Sequence, residues 1–217
     1  MIYKINEFKK KIIIQAGAVE LMLELFIENL QNENEDRLKE IFLSEEKINV
    51  KEIEIEEDVI EMIALNHPGG KNLRTVLMIL KMNNDLERIG DLIEDMTKLY
   101  LIASNKSKFV YLEKLTLMCK KSHEMLKESI ESFKKEDSSI AKIVCEKDDI
   151  VDDFHKELRK DIIQYITMNP SETELMCNYL NITFKVERIA DLATNIAEEA
   201  IYLSEGKDIK HGFLQNS

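Results

Sequence analysis

The sequence predicts an all-α protein, a tandem repeat of two three-helix bundles with six long antiparallel helices. Three observations carry that prediction. Only six Gly and two Pro interrupt 217 residues rich in Leu, Ile, Glu and Lys, so helix breakers are scarce. Apolar residues recur at helical spacing. The phrase "LERIGDL" (Leu86 to Leu92) returns one hundred residues later as "VERIADL" (Val186 to Leu192), with five of seven letters shared. A period of that length is the mark of a repeated structural unit.

The first helix, near 4–31, follows from Phe8, Ile12, Val19, Leu23, Phe26 and Leu30 on one face. Its opening, "KKKIIIQAGAVELML", has the outline of a signal peptide. Gln15 and Glu20 interrupt the apolar run, so it reads as an amphipathic helix that stays on the mature protein. The polar stretch "QNENED" turns the chain into a second helix near 34–66. "NHPGGKN" (Asn66 to Asn72) then makes a strong turn into a third, near 70–104. "SNKSK" separates the halves before a fourth helix near 108–136. "KKEDSSI" offers Asp137 or Ser138 as N-cap of the fifth, near 138–168. "MNPSETE" bends the chain at Pro170, with Ser171 expected to cap the sixth helix, near 171–205. Gly206 stops that helix. The units are therefore 1–105, 106–206 and a frayed tail at 207–217. Helices of this size run about 40 to 50 Å at about 1.5 Å per residue, so an elongated molecule is expected.

Charge narrows the function. A formal net charge of −12 argues against nucleic acid, whose phosphates need a basic face. It suits divalent cations or basic protein partners. Cys119, Cys145 and Cys177 are odd in number and widely spaced, as reduced core cysteines of a cytoplasmic protein would be. No apolar run approaches the roughly 20 residues needed to cross a bilayer.

The repeated phrase places acids in a pattern. On the third helix Glu87, Asp91 and Asp95 share an arc of about 80°. Glu187, Asp191 and Asn195 share it on the sixth, with Glu198 beside them. Ile89, Ile93, Met96 and Ile189, Ile196, Ala200 lie opposite, so a solvated face is one explanation. The turns add a second. Asp152 lies 18 residues before Pro170 and Glu187 lies 17 after it; Asp148 lies 22 before and Asp191 lies 21 after. Antiparallel helices joined there bring each pair level. About Pro68, Asn49 and Glu45 stand level with Glu87 and Asp91 in the same way. Carboxylates gathered at one level repel one another and hold their protons unless a cation compensates them. Arg88 and Arg188 supply part of that compensation, and a divalent metal supplies more. Oxygen donors favour Mg, Mn, Ca or Fe. His155, three residues after Asp152, is a further candidate ligand, although an exposed histidine is the simpler expectation.

"LERIGDL", "VERIADLATNIAEEAIYL" and "HPGGKNLRTVLMILKMNND" resemble the PhoU family of accessory and regulatory proteins of phosphate-specific transport, over essentially the whole chain. The resemblance implies paired acidic motifs that bind multinuclear iron or zinc clusters on the bundle surface; manganese or magnesium also fits the donors. The matching positions here are Glu87 and Asp91 with Glu45 and Asn49, and Glu187 and Asp191 with Asp148 and Asp152. Asn49 leaves the first site one carboxylate short, and Asp95 and Met96 replace the family's Asn-Ile. The implied role is regulatory: repression of the phosphate-starvation response and limitation of uptake. The partners would be the ATPase subunit of a phosphate ABC transporter and a sensor histidine kinase, with the membrane reached only through them. A homodimer is the expected assembly.

Other readings remain open at this point. A carboxylate-bridged di-iron enzyme wants Glu-x-x-His on two helices, and none of His67, His123, His155 or His211 follows a Glu at that spacing. No nucleophile constellation and no Gly-rich phosphate loop points to another enzyme. A helical regulator of a different phosphate permease shares every sequence feature. So does a metal-binding or merely solvated bundle with no regulatory role.

Overall fold

Each of the six predicted helices forms. A computed structural model describes residues 2–32, 34–104 and 109–206. The expected tail at 207–217 and the connector at 105–108 lie outside the described residues. The helices are α1 (Ile2–Asn32), α2 (Glu35–Asn66), α3 (Lys71–Ser104), α4 (Leu112–Lys135), α5 (Ser138–Met168) and α6 (Thr173–Glu205). No strand occurs among the described residues, and no helix there is long and apolar enough to cross a membrane.

The breaks have local causes. His67 ends α2 in the left-handed region (φ 44°), its N–H bonded to the Ile63 carbonyl, and Gly70 (φ 55°) completes the reversal. Asp137 caps α5 by accepting the Ser139 N–H at 2.9 Å. Gly206 closes α6 at φ 69°. Two details differ from expectation. Helix α4 begins at Leu112 rather than 108, because Phe109 is stacked on Tyr179 at 4.0 Å and edge-on to Tyr111, which holds the chain in a turn. Ser171 is not a cap: Pro170–Glu172 forms a single 3-10 turn, closed by Thr173 donating to the Pro170 carbonyl at 2.7 Å.

Helices α1, α2 and α3 pack together, as do α4, α5 and α6, and the two bundles join through α3 on α6 and α1 on α4. The core is one contiguous apolar cluster. Ile12, Val19, Leu23 and Phe26 of α1 are wholly buried in it, which is why the amphipathic reading of the N-terminal stretch holds. Ile89 and Ile93 of α3 and Ile189 and Ile196 of α6 are equally buried. Cys119 is buried, its thiol pushed up to about 12 by burial. Cys177 is exposed, contrary to the expectation of a core residue, because it falls on the solvent side of α6.

Two ion pairs give the register of the central helices. Lys81 of α3 meets Glu199 of α6 at 2.7 Å, and Asp95 of α3 meets Lys185 of α6 at 2.9 Å. Later residues of α3 therefore face earlier ones of α6, and the two copies of the repeated phrase cross at Gly90 and Ala190. Gly90 is buried, and a methyl group there would meet only the Ile48 side chain, at an ordinary 3.7 Å. Gly90→Ala should therefore raise stability by about 0.5–1 kcal/mol through helix propensity alone. A higher urea midpoint at unchanged m-value is the expected result; a lower one would mean that Ile48 of α2 cannot accommodate the methyl group.

Candidate functional site

Each acidic group sits where an outer helix (α2 or α5) leans on a central one (α3 or α6), at the rim of their shared apolar seam. In the second repeat Val144, Val151 and Leu158 pin α5 to the core, and the same packing carries Asp148 and Asp152 to its edge. Asp148 accepts a hydrogen bond from the Thr194 hydroxyl at 3.2 Å, which locks α5 to α6 at that height. Burial, and then the charges of Asp191 and Asp152, push the Asp148 carboxyl above its ordinary range, against the Thr194 bond. Glu187 is raised by burial first and then by Asp191 and Asp152, partly offset by Arg188. The structure thus brings Asp148, Asp152, Glu187 and Asp191 within electrostatic reach of one another.

Cations already present answer part of this repulsion. Arg188 holds Asp191 at 2.8 Å, and Lys156 stands 3.5 Å from Asp152. Arg88 behaves differently from its counterpart: it lies 3.8 Å from Asp85, and only weakly lowers Glu87.

The first repeat repeats the design with different residues. Glu45 is buried, which raises its carboxyl; the Asn49 amide donates to it and opposes that rise, while Glu94 and Asp91 add to it. Glu87 is raised by burial, then by Asp91, Glu52 and Glu45. Glu52 is itself raised by burial and by Glu56. Glu52 and Glu94 did not emerge from the sequence, yet they make good the carboxylate missing at Asn49. The signal was available: both lie seven residues beyond an acid of the motif, and seven residues return to within about 20° of the same helix face. At the corresponding places the second repeat has His155 and Thr194.

His155 is not exposed as expected. It is 9% accessible, because Phe184 of α6 covers it edge-on at 4.5 Å, and burial lowers its affinity for a proton. Asp95 stands apart from the first group: it pairs with Lys185 and borders a cleft of about 500 Å³ between α3 and α6 that Phe184 also lines. Asn195 borders the pseudo-equivalent cleft of about 420 Å³, beside Glu52, Asp85 and Glu199. Glu198 adds negative charge next to Cys145, whose thiol is pushed up to about 11, by burial before anything else.

The donors suit a hard or borderline cation in kind, being carboxylates with one amide and no thiolate. They are not gathered into a ready-made coordination group: among the described residues no three His, Cys, Asp or Glu side chains converge on one point. Mutual repulsion accounts for this: Asp191, Asp152 and Asp148 turn to Arg188, Lys156 and Thr194. Exposed ion pairs of that kind are worth about 0–1 kcal/mol, so a bound cation could redirect these side chains at small cost.

A family model described as "PhoU domain" matches the chain twice, at residues 12–99 and 115–200. The Aquifex aeolicus "Phosphate-specific transport system accessory protein PhoU homolog" is 32% identical over 98% of this chain and 96% of its own length. The crystal structure of PhoU from Pseudomonas aeruginosa superposes with a TM-score of 0.91 at 23% identity, over 94% of this chain and 99% of that one, a likeness of fold. The phosphate transport system regulatory protein PhoU from Streptococcus pneumoniae superposes with a TM-score of 0.86 at 26% identity, over 96% and 98%.

The raised carboxyls have a sign that can be tested. An acid whose folded-state pKa lies above its unfolded value stabilises the fold below the unfolded pKa and loses that contribution as pH rises through the folded one. Chelator-treated protein should therefore gain stability as pH falls from neutrality toward the ordinary carboxylate range, through Glu45, Glu87, Asp148 and Glu187. Asp148→Asn with Glu187→Gln should be the more stable protein at pH 7 and show a flatter profile in that window. Superimposable urea midpoints for the two proteins across the window would contradict the assigned repulsion.

Proposed function

This chain belongs to the PhoU family, and we propose that it is a non-enzymatic cytoplasmic regulator of phosphate uptake and of the phosphate-starvation response. In this reading it works between a phosphate ABC transporter, through the ATPase subunit, and a sensor histidine kinase. It binds metal ions on its two acidic faces and assembles as a homodimer. The printed names of its relatives, an accessory protein and a regulatory protein of phosphate transport, support the first part.

The observation that carries the metal is the doubled acidic face, where burial and like charge together hold Glu45, Glu87, Asp148 and Glu187 above their ordinary pKa values. A cation held by Asp148, Asp152, Glu187 and Asp191, or by Glu45, Glu52, Glu87, Asp91 and Glu94, would remove that strain. Any coordination position left open would attract phosphate oxygens or acidic side chains of a partner. The regulatory role needs no reaction, only a surface whose charge changes with its occupancy.

Thermal stability followed during titration with iron(II), manganese, zinc or magnesium tests the metal. A ligand present at about 100 times its Kd and binding only the native state adds about 2.7 kcal/mol. The wild type should show such a rise, Asp148→Asn with Asp191→Asn should reduce it to what the first face alone supplies, and adding Glu45→Gln with Glu87→Gln should abolish it. No rise with any of the four metals would sink the metal reading. The regulatory reading is tested separately. Deleting the gene should leave phosphate uptake and a phosphate-starvation reporter unrestrained in phosphate-rich medium, and the wild-type gene should restore control. An unaltered response would sink it.

A further inference from the structure

Helix α2 carries two apolar stripes and has partners for one. Ile41, Ile48, Ile55, Val59 and Met62 face inward and are buried against α1 and α3. Leu43, Val50, Ile53 and Ile60 form the second stripe, and each is more than half exposed, at 55–58%. Their spacing of seven, three and seven residues is that of the a and d positions of a heptad, and the stripe runs about 25 Å along the helix. Single exposed aliphatics are ordinary, but four along one line of one helix are not. Helix α5, the counterpart in the second repeat, exposes Ile143 and Ile150 one heptad apart but has Glu157 at the next step.

Charge selects among the possible occupants. Glu46 and Glu57 hold the remaining a and d positions of the seam; Glu54 and Glu61 flank it on one side and Glu56 on the other, with Lys47 the one basic residue among the flanking positions, and all six are exposed. A second copy laid antiparallel on this face would bury Glu46 against Glu57 at both ends of the seam, with Lys47 answering only one flanking acid of each copy, and anionic lipid would be repelled by the acids. A helix with its own apolar stripe, with Lys or Arg beside it and at the two stripe positions that face Glu46 and Glu57, would bury the seam and pair each acid. We propose that the outer face of α2 is a docking surface for a basic amphipathic helix of a partner protein. The proposal does not rest on metal binding, since the seam lies on a different side of α2 from Glu45 and Glu52.

The test uses the full chain in chelator and a labelled synthetic heptad peptide of about 21 residues, with Leu at a and d except for Lys at the two positions that face Glu46 and Glu57, and Lys at e and g. Its twin carries Glu in place of every Lys. The basic peptide should bind and the acidic twin should not. Ile53→Ser with Ile60→Ser, which leaves every charge in place, should weaken binding at least about tenfold while the circular dichroism and melting curve stay unchanged. Ile143→Ser with Ile150→Ser on α5 should leave binding as it was. Binding that survives the α2 serines would reduce the effect to bulk charge and overturn the proposal. A wild-type dimer in sedimentation that the α2 serines convert to monomer would assign the face to a second copy instead, and overturn it too. Binding of vesicles of anionic phospholipid through this face would do the same in favour of a membrane.

Discussion

The pairing of α3 with α6 is the constraint on which the rest of the molecule depends. Each carries a wholly apolar stripe, with Ile89 and Ile93 on one and Ile189 and Ile196 on the other, too wide for one neighbour to cover. The stripe must be shared between a helix of its own bundle and the matching helix of the other. That need joins two bundles into one core and lays the repeated phrases across each other at the near-symmetric point, Gly90 and Ala190. With the central pair placed, α2 and α5 can only be outer walls, and the rims where they meet α3 and α6 become the acidic faces.

Those rims are electrostatically uneasy because packing and charge ask for different things. The apolar seam draws the helices close, and closeness desolvates Glu45, Glu87, Asp148 and Glu187 and sets them against neighbouring carboxylates. Local cations such as Arg188 and Lys156 relieve the more exposed members of the second face. Arg188 only partly offsets the rise of Glu187, and Asp148 and Glu45 accept neutral donors instead, Thr194 for Asp148 and Asn49 for Glu45. A surface in this condition favours whatever cation can enter it, and it occurs twice.

Much of this was legible in the letters. The turns at Pro68 and Pro170 set the level of every residue on the flanking helices, so the facing of Asp148 with Asp191, and of Asp152 with Glu187, could be counted from the chain. The errors came from rotation about the helix axis rather than position along it. An arc of about 80° on a helical wheel looked like one face, but it spans two neighbours: Glu87 and Asp91 turn to α2, whereas Asp95 turns to α6 and finds Lys185. Glu94 and Glu52 were passed over because an i, i+4 motif draws the eye from the i+7 positions that share its face. His155 was read as exposed because nothing local shows that Phe184, nearly thirty residues on, lies over it.

The sequence by itself determined the helices, their order, their turns, the doubling of the unit and the heights at which its acids stand. These follow from periodicity and chain length, which are local properties summed along the chain. Only the tertiary structure decided which acids share a face, which cations answer them, and which apolar stripe of α2 stays uncovered. Those depend on how each helix is rotated against neighbours distant in sequence, and that rotation is set by the mutual burial of side chains that no single segment contains.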